Sequence, residues 1–200
     1  MEFAELMRDV WKVDVMRDYE ARIVASEREL QACLYKSLRD RIPRGANLRI
    51  FVEPTVLPLK RRPDLIVAKP LEGGDYDTVA VIELKLDRGG SIKYEEELTR
   101  IQSMGSLAKV TIANQRFDQR GSNLTLRISE ETRFFLCFVG QGDISDKRRG
   151  CLALYPDRIR KANHNRFFDN PSMAVRTELF FGRVFSEGRL EFDSCLLDGP

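Results

Sequence analysis

The amino-acid sequence predicts a single α/β domain in which helices flank a mixed β-sheet. Three observations predict this class. Apolar residues recur at helical spacing over residues 20–41, three runs with strand character follow between residues 47 and 86, and a second helical pattern then leads into another apolar strand. Helices and strands in this order are typical of an α/β fold. We expect a core over about residues 20–140, an N-terminal helix over residues 1–19 and a β-rich C-terminal extension over residues 141–200.

Length and composition limit the class of protein. The chain has 200 residues, of which 42% are hydrophobic and 32% are charged, a balance that suits one globular domain and argues against disorder. No apolar run approaches the roughly 20 residues that span a bilayer, and the acidic N-terminal stretch differs from a signal peptide. We therefore expect a cytoplasmic protein without membrane contact.

Histidine and cysteine offer little for catalysis or metal binding. The chain has one histidine, His164, and four isolated cysteines without a CxxC pair. Cys33 and Cys137 lie within apolar runs and are expected in the core. Any acid–base chemistry therefore depends on carboxylates, on lysine and on a metal ion. The net charge of +2 does not indicate a globally basic surface for nucleic acid.

Apolar stripes mark the first two helices. The stripe of a helix over about residues 2–18 suits packing against the domain, and a dimer contact is the alternative. The helix over residues 20–41 ends where proline and glycine follow. The stripes consist of Phe3, Leu6, Val10 and Val13 in the first helix, and of Ile23, Leu30, Leu34 and Leu38 in the second.

The strand candidates are apolar runs bounded by polar or turn-forming residues. The polar loop between the second and third candidates suits an antiparallel hairpin, and a closing hairpin is expected around Ser186–Gly188. In chain order we predict strands over residues 47–56, 63–68 and 77–86, a helix over 92–110, strands over 133–140 and 151–155, and then the closing hairpin.

The run VAVIELKLD, residues 79–87, places charges inside a strand. Side chains alternate between the two faces of a strand, so one face here is wholly apolar and the other combines valines with charged groups. Charged groups are costly to bury without a partner, which makes a chance arrangement a poor explanation. The first face carries Ala80, Ile82, Leu84 and Leu86, and the second carries Val79, Val81, Glu83, Lys85 and Asp87.

Three acids and one lysine are expected to converge near this strand. Asp64 begins one strand of the predicted hairpin, and Glu83 lies within the next strand, with Lys85 on the same face. Glu27 lies in the apolar stripe of the second helix, where an acid needs a partner. Mg²⁺ prefers carboxylate oxygens, and a neighbouring ammonium group orients water and stabilises charge on a phosphate. The pattern indicates metal-assisted hydrolysis of a phosphodiester.

The order of these motifs resembles the PD-(D/E)xK nuclease superfamily, whose restriction-endonuclease-like core is α-β-β-β-α-β. The stretch ASERELQACL, which contains Glu27, is also similar to the helix of the archaeal Holliday-junction resolvases within that superfamily. The resemblance implies that Asp64 of Pro63-Asp64 and Glu83 of Glu83-Leu84-Lys85 ligate Mg²⁺ or Mn²⁺, together with the backbone carbonyl of Leu84. It further implies that Lys85 positions the nucleophilic water and that Glu27 binds the metal directly or through water.

Each motif also has a purely structural interpretation. Glu83 and Lys85 suit a salt bridge on a solvated face, Asp64 suits the start of a strand, and Glu27 suits pairing with a neighbouring arginine. A second Pro-Asp pair occurs at residues 156–157, and the helix after the hairpin lacks the Gln-x-x-x-Tyr pattern of the RecB-like and Cas4-like branches. A non-catalytic module of the same fold and a buried ion network therefore stay open beside the nuclease.

We interpret the chain as a metal-dependent DNA endonuclease of restriction, repair or phage defence, with DNA expected as substrate ahead of RNA. A homodimer is the expected way to cut both strands of a duplex, because one chain carries one site. Lys60, Arg61, Arg62 and Lys93 are candidates for holding phosphates beside that site, and a solubilising surface is the alternative for the basic run.

Overall fold

In the part of the chain that the structure describes, an α/β structure forms around one mixed nine-stranded sheet. A computed structural model describes residues 2–57, 59–86, 100–101, 103–113, 123–141, 176–185 and 187–196. The helices are α1 (Phe3–Asp9), a π-helical segment (Val10–Val15), α2 (Met16–Glu20), α3 (Glu27–Arg41), a 3-10 turn (Arg44–Ala46) and a helical stretch at 100–101 and 103–105. The strands are β1 (Arg49–Val52), β2 (Val56–Leu57), β3 (Leu65–Pro70), β4 (Tyr76–Leu86), β5 (Lys109–Ile112), β6 (Leu124–Arg127), β7 (Arg133–Gln141), β8 (Thr177–Val184) and β9 (Leu190–Leu196). Over these ranges, no helix has the length and apolar character to cross a bilayer.

The sheet combines antiparallel and parallel neighbours. β3 pairs antiparallel with β1 and with β4, and the second pair is the predicted hairpin. On its other edge β4 runs parallel to β7 and, near its start, to β6. β7 runs parallel to β8, which forms the predicted closing hairpin with β9. β6, β5 and β2 follow as antiparallel neighbours, and the sheet has to curl because only three residues join β1 to β2.

β4 contributes to two apolar layers, one on each face of the sheet. Ala80, Ile82 and Leu84 pack beneath the N-terminal helix and α3, whereas Val81 packs in the opposite layer. The predicted alternation of faces is confirmed for these four residues. Cys33 and Cys137 are buried in the first layer, as expected.

The alternation of β4 fails at one position. Val79 was expected to share the face of Val81, but it packs with the first layer. The register of β3 against β4 shifts between Val67 and Ala68, and such an irregularity reverses the side-chain phase locally. Asp87, which was expected on the same face as Val81, lies outside the described residues.

α3 begins at Glu27, so the helix predicted over residues 20–41 is wrong before that residue and correct at its end. Ser26 is the N-cap, and its Oγ accepts a hydrogen bond from the Glu29 N–H at 3.2 Å. The Glu29 carboxylate accepts one from the Ala25 N–H at 2.6 Å, which completes an arrangement like a capping box. Ile23 consequently lies outside the helix and is 55% exposed. Glu27 occupies the first turn of α3 and not the middle of an apolar stripe.

The N-terminal helix packs against the sheet, which confirms that expectation. Arg8 donates two hydrogen bonds to the buried Glu178 carboxylate on β8, at 2.7 and 2.9 Å. The Trp11 indole N–H donates to the Phe181 carbonyl oxygen at 3.2 Å. The π-helical segment adds one residue to a turn and rotates the stripe, so Val13, expected to be buried, is 49% exposed.

Several strand boundaries differ from the prediction. Residues 47–56 form two strands instead of one, because Glu53 adopts a left-handed backbone conformation (φ 43°) and Pro54 follows it. The helix predicted over 92–110 is wrong at its end, where β5 begins, and its part over 92–99 lies outside the described residues. β6 was not predicted. The strand over 133–140 is confirmed as β7, and the one over 151–155 lies outside the described residues, as does His164.

Candidate active site at the edge of β4

The last four residues of β4 extend beyond its neighbour β3. The pairing of these two strands ends with Ile82 opposite Leu65. On the other edge, β7 accompanies β4 as far as Leu86. Residues 83–86 therefore have a strand on one edge only, within the part of the chain that the structure describes.

Two of the predicted acids occupy this edge in place of a strand. The Leu84 N–H donates to Asp64 Oδ2 at 2.6 Å, and the Leu86 N–H donates to Glu27 Oε2 at 3.4 Å. Asp64 reaches this position because it directly precedes β3 and follows the buried Pro63. Glu27 reaches it from the first turn of α3, whose start is fixed by the Ser26 cap.

Lys85 belongs to the same cluster. Its Nζ lies 3.1 Å from Glu27 Oε1, in an ion pair whose lysine and glutamate side chains are 26% and 42% exposed. Partial burial weakens the screening of this pair by solvent and keeps the ammonium group near the β4 edge. Glu27 is thus paired with Lys85, whereas the structural alternative had it pair with a neighbouring arginine.

Burial raises the pKa of the Asp64 carboxyl above its ordinary value. The hydrogen bond from the Leu84 N–H and the charge of Lys85 act in the opposite direction, whereas the charge of Glu27 raises this pKa further. A side-chain hydrogen bond with Glu83 also lowers the pKa, so the carboxyl groups of Asp64 and Glu83 are in contact. Glu83 itself is buried, with 6% of its surface exposed. All four predicted residues therefore interact within one cluster.

The donor set suits a divalent cation held by two acids. In the described ranges, no three His, Cys, Asp or Glu side chains are arranged to hold a metal ion together. Two carboxylates suffice for Mg²⁺, which completes its octahedron with water and substrate oxygens. Asp64 and Glu83 supply that pair, and a cation between them would offset the burial and repulsion that disfavour the Asp64 anion. The Leu84 carbonyl faces the same edge as its N–H, because both groups of a strand residue point to one side.

Gln31 is a site residue that the sequence analysis missed. It is 8% exposed, and its Nε2 donates to the Asp64 carbonyl oxygen at 3.1 Å and to Asp64 Oδ1 at 3.4 Å. The available signal was its spacing, since a residue four positions after Glu27 lies one turn along the same helix face. Gln31 therefore fixes the backbone and side chain of Asp64 relative to α3.

The four residues predicted to bind phosphate differ in their surroundings. Lys60 and Arg61 are exposed on the segment that leads into Asp64, and Arg62 forms an ion pair with Glu53 at 3.1 Å. Lys93 lies outside the described residues. The basic run thus lies next to the cluster in the chain, but one of its three charges is already balanced.

Comparison with known proteins assigns no family to the chain. No family model matches it, and no curated protein matches it. Among solved structures, SfsA of Pyrococcus furiosus in complex with Ca²⁺ is similar over 82% of this chain, with 12% identity and a TM-score of 0.35. The match covers 62% of the length of that protein. The residues of the site itself are therefore the basis for assigning a function.

Proposed function

We propose that this chain is a metal-dependent nuclease of the PD-(D/E)xK type that hydrolyses phosphodiester bonds. One observation carries the proposal: Glu27, Asp64, Glu83 and Lys85, far apart in sequence, interact at a single strand edge. One of these acids is disfavoured as an anion by burial and by a neighbouring acid. Carboxyl groups perturbed in this way are typical of functional sites. A buried ion pair adds little net stability to a fold, so stability alone does not explain the arrangement.

Each residue has a distinct proposed role. Asp64 and Glu83 would hold Mg²⁺ or Mn²⁺, with the Leu84 carbonyl oxygen as a main-chain ligand. When bound, the cation would neutralise charge on the phosphate and lower the pKa of a water. The Lys85 ammonium group orients the attacking water and stabilises the charge that develops on the phosphate. Glu27 holds Lys85 in place through its ion pair, so we assign it a positioning role ahead of direct metal binding.

Nucleic acid is the proposed partner, with DNA ahead of RNA. The carboxylate cluster repels a polyanion, so phosphates need cationic contacts beside it. The exposed Lys60 and Arg61 lie on the segment that enters Asp64 and can supply these contacts. A homodimer would bring a second site to the second strand of a duplex, and restriction, repair and phage defence are the proposed settings.

Cleavage assays test the nuclease. Supercoiled plasmid, single-stranded DNA and RNA are each incubated with Mg²⁺, with Mn²⁺ or with EDTA. We expect cutting only with a cation, and a loss of about 100-fold or more in Lys85→Ala, because a positioned catalytic group contributes roughly 10²–10⁴-fold. Lys36→Ala is the matched control, since Lys36 forms an ion pair with Asp40 at 2.6 Å on the exposed surface of α3. Cation-dependent cutting that is equal in the two variants would place the reaction elsewhere.

A second candidate is a non-catalytic module in which the cluster is a structural ion network. One observation favours it: Asp64 and Glu27 accept main-chain N–H groups of β4 and thereby cap an unpaired strand edge. Calorimetric titration with Mn²⁺ separates the two candidates. A nuclease binds the cation and loses that binding in Asp64→Asn, whereas an ion network binds none. Binding of nucleic acid or protein without cleavage would then be the function.

A further inference from the structure

A cavity of about 270 Å³ lies beside the carboxylate cluster, lined by α3, β1 and the neighbouring ends of β5 and β6. Glu53 is part of its wall, and the Glu53 N–H donates to the Asp64 carbonyl oxygen at 2.9 Å. Tyr35 lines it from α3, four residues after Gln31, and four residues advance a helix by about 6 Å. The cavity is therefore linked to Asp64 through Glu53, and its Tyr35 wall lies one turn of α3 from Gln31, which bonds to Asp64.

The described residues that line this cavity include two aromatic rings and one cation held in place. Tyr35 and Phe51 supply the rings. The Arg49 guanidinium lies over the Phe51 ring, 5.2 Å from its centroid, and donates to the Tyr76 hydroxyl at 2.7 Å. These contacts hold the guanidinium at the wall instead of leaving it mobile in solvent. Aromatic rings and guanidinium planes are the groups on which unstacked nucleobases stack.

The edge of β1 adds main-chain groups that no strand among the described residues pairs with. Alternate residues of an antiparallel strand direct their N–H and C=O groups to the partner, and the hydrogen bond from Glu53 to Asp64 sets the phase of this ladder. The main-chain N–H and C=O groups of Arg49 and Phe51 therefore point to β3. Those of Ile50 and Val52 point to the opposite edge of β1, which no described strand covers. Ile50 and Val52 both line the cavity, so donors and acceptors for a base edge are present there.

We propose that this cavity is a subsite for one unpaired nucleobase beside the scissile phosphate. The inference rests on the proposed nuclease function and deepens it by naming the substrate class, which is single-stranded or flapped nucleic acid. The cavity is smaller than the roughly 300–1,000 Å³ of ordinary small-molecule sites, so it admits a single planar base but not a stacked pair. A duplex has to fray before its phosphate reaches the carboxylates.

Fluorescence binding with a single-stranded oligonucleotide that carries one 2-aminopurine tests the subsite independently of cleavage. Ca²⁺ replaces Mg²⁺, and a blunt duplex of the same sequence is the comparison. We expect the fluorescence to be quenched when the base stacks in the cavity, and the duplex to bind at least about tenfold more weakly. Tyr35→Leu should weaken single-strand binding about tenfold, in line with the loss of one stacking contact. Tyr19→Leu is the matched control, because Tyr19 is a half-buried ring that packs on Phe192.

Val52→Met keeps the test independent of folding. Val52 is 49% exposed, so a longer side chain narrows the cavity mouth without disturbing the core, and methionine adds neither a ring nor a charge. Equal single-strand binding by the wild type and Val52→Met, equal affinity for duplex and single strand, or no single-strand binding at all would each overturn the subsite. Cation-dependent cutting of blunt duplex would leave the nuclease standing in those cases. Conversely, single-strand binding that Val52→Met weakens, without cleavage of any substrate, would overturn the nuclease and keep the subsite.

Discussion

Gln31→Met tests how firmly the carboxylate cluster is held together. Gln31 links α3 to Asp64 through two hydrogen bonds, at 3.1 Å to the carbonyl oxygen and 3.4 Å to Oδ1. Methionine has nearly the same length but no donor. The site is 8% exposed, so methionine fills the space without leaving a large cavity. The substitution therefore removes hydrogen bonds and little else.

The expected loss of unfolding free energy is about 1 kcal/mol. Asp64 keeps a donor on both groups that Gln31 contacts, because its carbonyl oxygen still accepts from the Glu53 N–H at 2.9 Å and its carboxylate from the Leu84 N–H at 2.6 Å. The penalty for a buried group without a partner does not apply. One neutral hydrogen bond is worth roughly 0.5–1.5 kcal/mol, and the bond at 3.4 Å adds little. For a chain of this size the Tm falls by about 2–4 °C.

Urea and thermal unfolding of Gln31→Met and Gln31→Glu measure this loss. Glutamate removes the donor and adds a further carboxylate beside Asp64. Gln31→Glu should therefore be less stable than Gln31→Met at about pH 7, and the difference should shrink near pH 4 as the acids become protonated. In the cleavage assay Gln31→Met should lower kcat with KM nearly unchanged. Unchanged stability in Gln31→Met, together with a Gln31→Glu variant that is no worse, would refute the argument.

Three further predictions concern the surroundings of the site. Ser26→Ala removes the cap of α3 and should cost about 1 kcal/mol in urea unfolding, and equal stability would mean that Glu29 alone starts the helix. Arg8→Met leaves the Glu178 carboxylate, which is 3% exposed, without its bidentate partner and should lower the free energy of unfolding by about 3 kcal/mol. Adding Glu178→Leu to the same chain should restore most of that loss, and no restoration would contradict the ion-pair explanation. Because burial raises the pKa of Asp64, the folded state favours its protonated form, so this contribution to stability is present at low pH and is lost as the pH rises through the raised pKa. Asp64→Asn should therefore gain stability relative to the wild type as the pH rises above about 4, and a difference in unfolding free energy that stays constant as the pH rises would contradict the shift.

Local sequence signals predicted much of the site. The alternation of apolar and charged residues placed Glu83 and Lys85 in one strand, and Pro63-Asp64 marked the start of its hairpin partner. The convergence of these residues with Glu27 follows from that hairpin and from the packing of α3 on the sheet. The capping signal Ser-x-x-Glu at Ser26 was also present in the sequence, and it would have placed the start of α3 correctly.

The remaining features depend on contacts that no local pattern contains. β5 and β6 are short, and they are stabilised by pairing with β2 and β4 at a long sequence distance. The break at Glu53 lets one chain segment pair with β3 before the break and with β5 after it, and both partners are distant in sequence. The π-helical segment moves Val13 to the surface through packing around Trp11. Gln31 is a polar residue on a helix, and only the position of Asp64 gives it a role.

The capped edge of β4 gives the molecule an internal reporter of its own charge state. The amide protons of Leu84 and Leu86 lie in a central strand, but their acceptors are the side chains of Asp64 and Glu27. The neighbouring amides of β4 that bond to β7 exchange with solvent only when the sheet opens. Protonation of Asp64 weakens the acceptor of the Leu84 N–H, and recruitment of either acid by a cation weakens the acceptor that this acid provides, without opening the sheet. Hydrogen exchange at these two amides therefore follows the occupancy of the site, whereas exchange at the rest of the strand follows global stability.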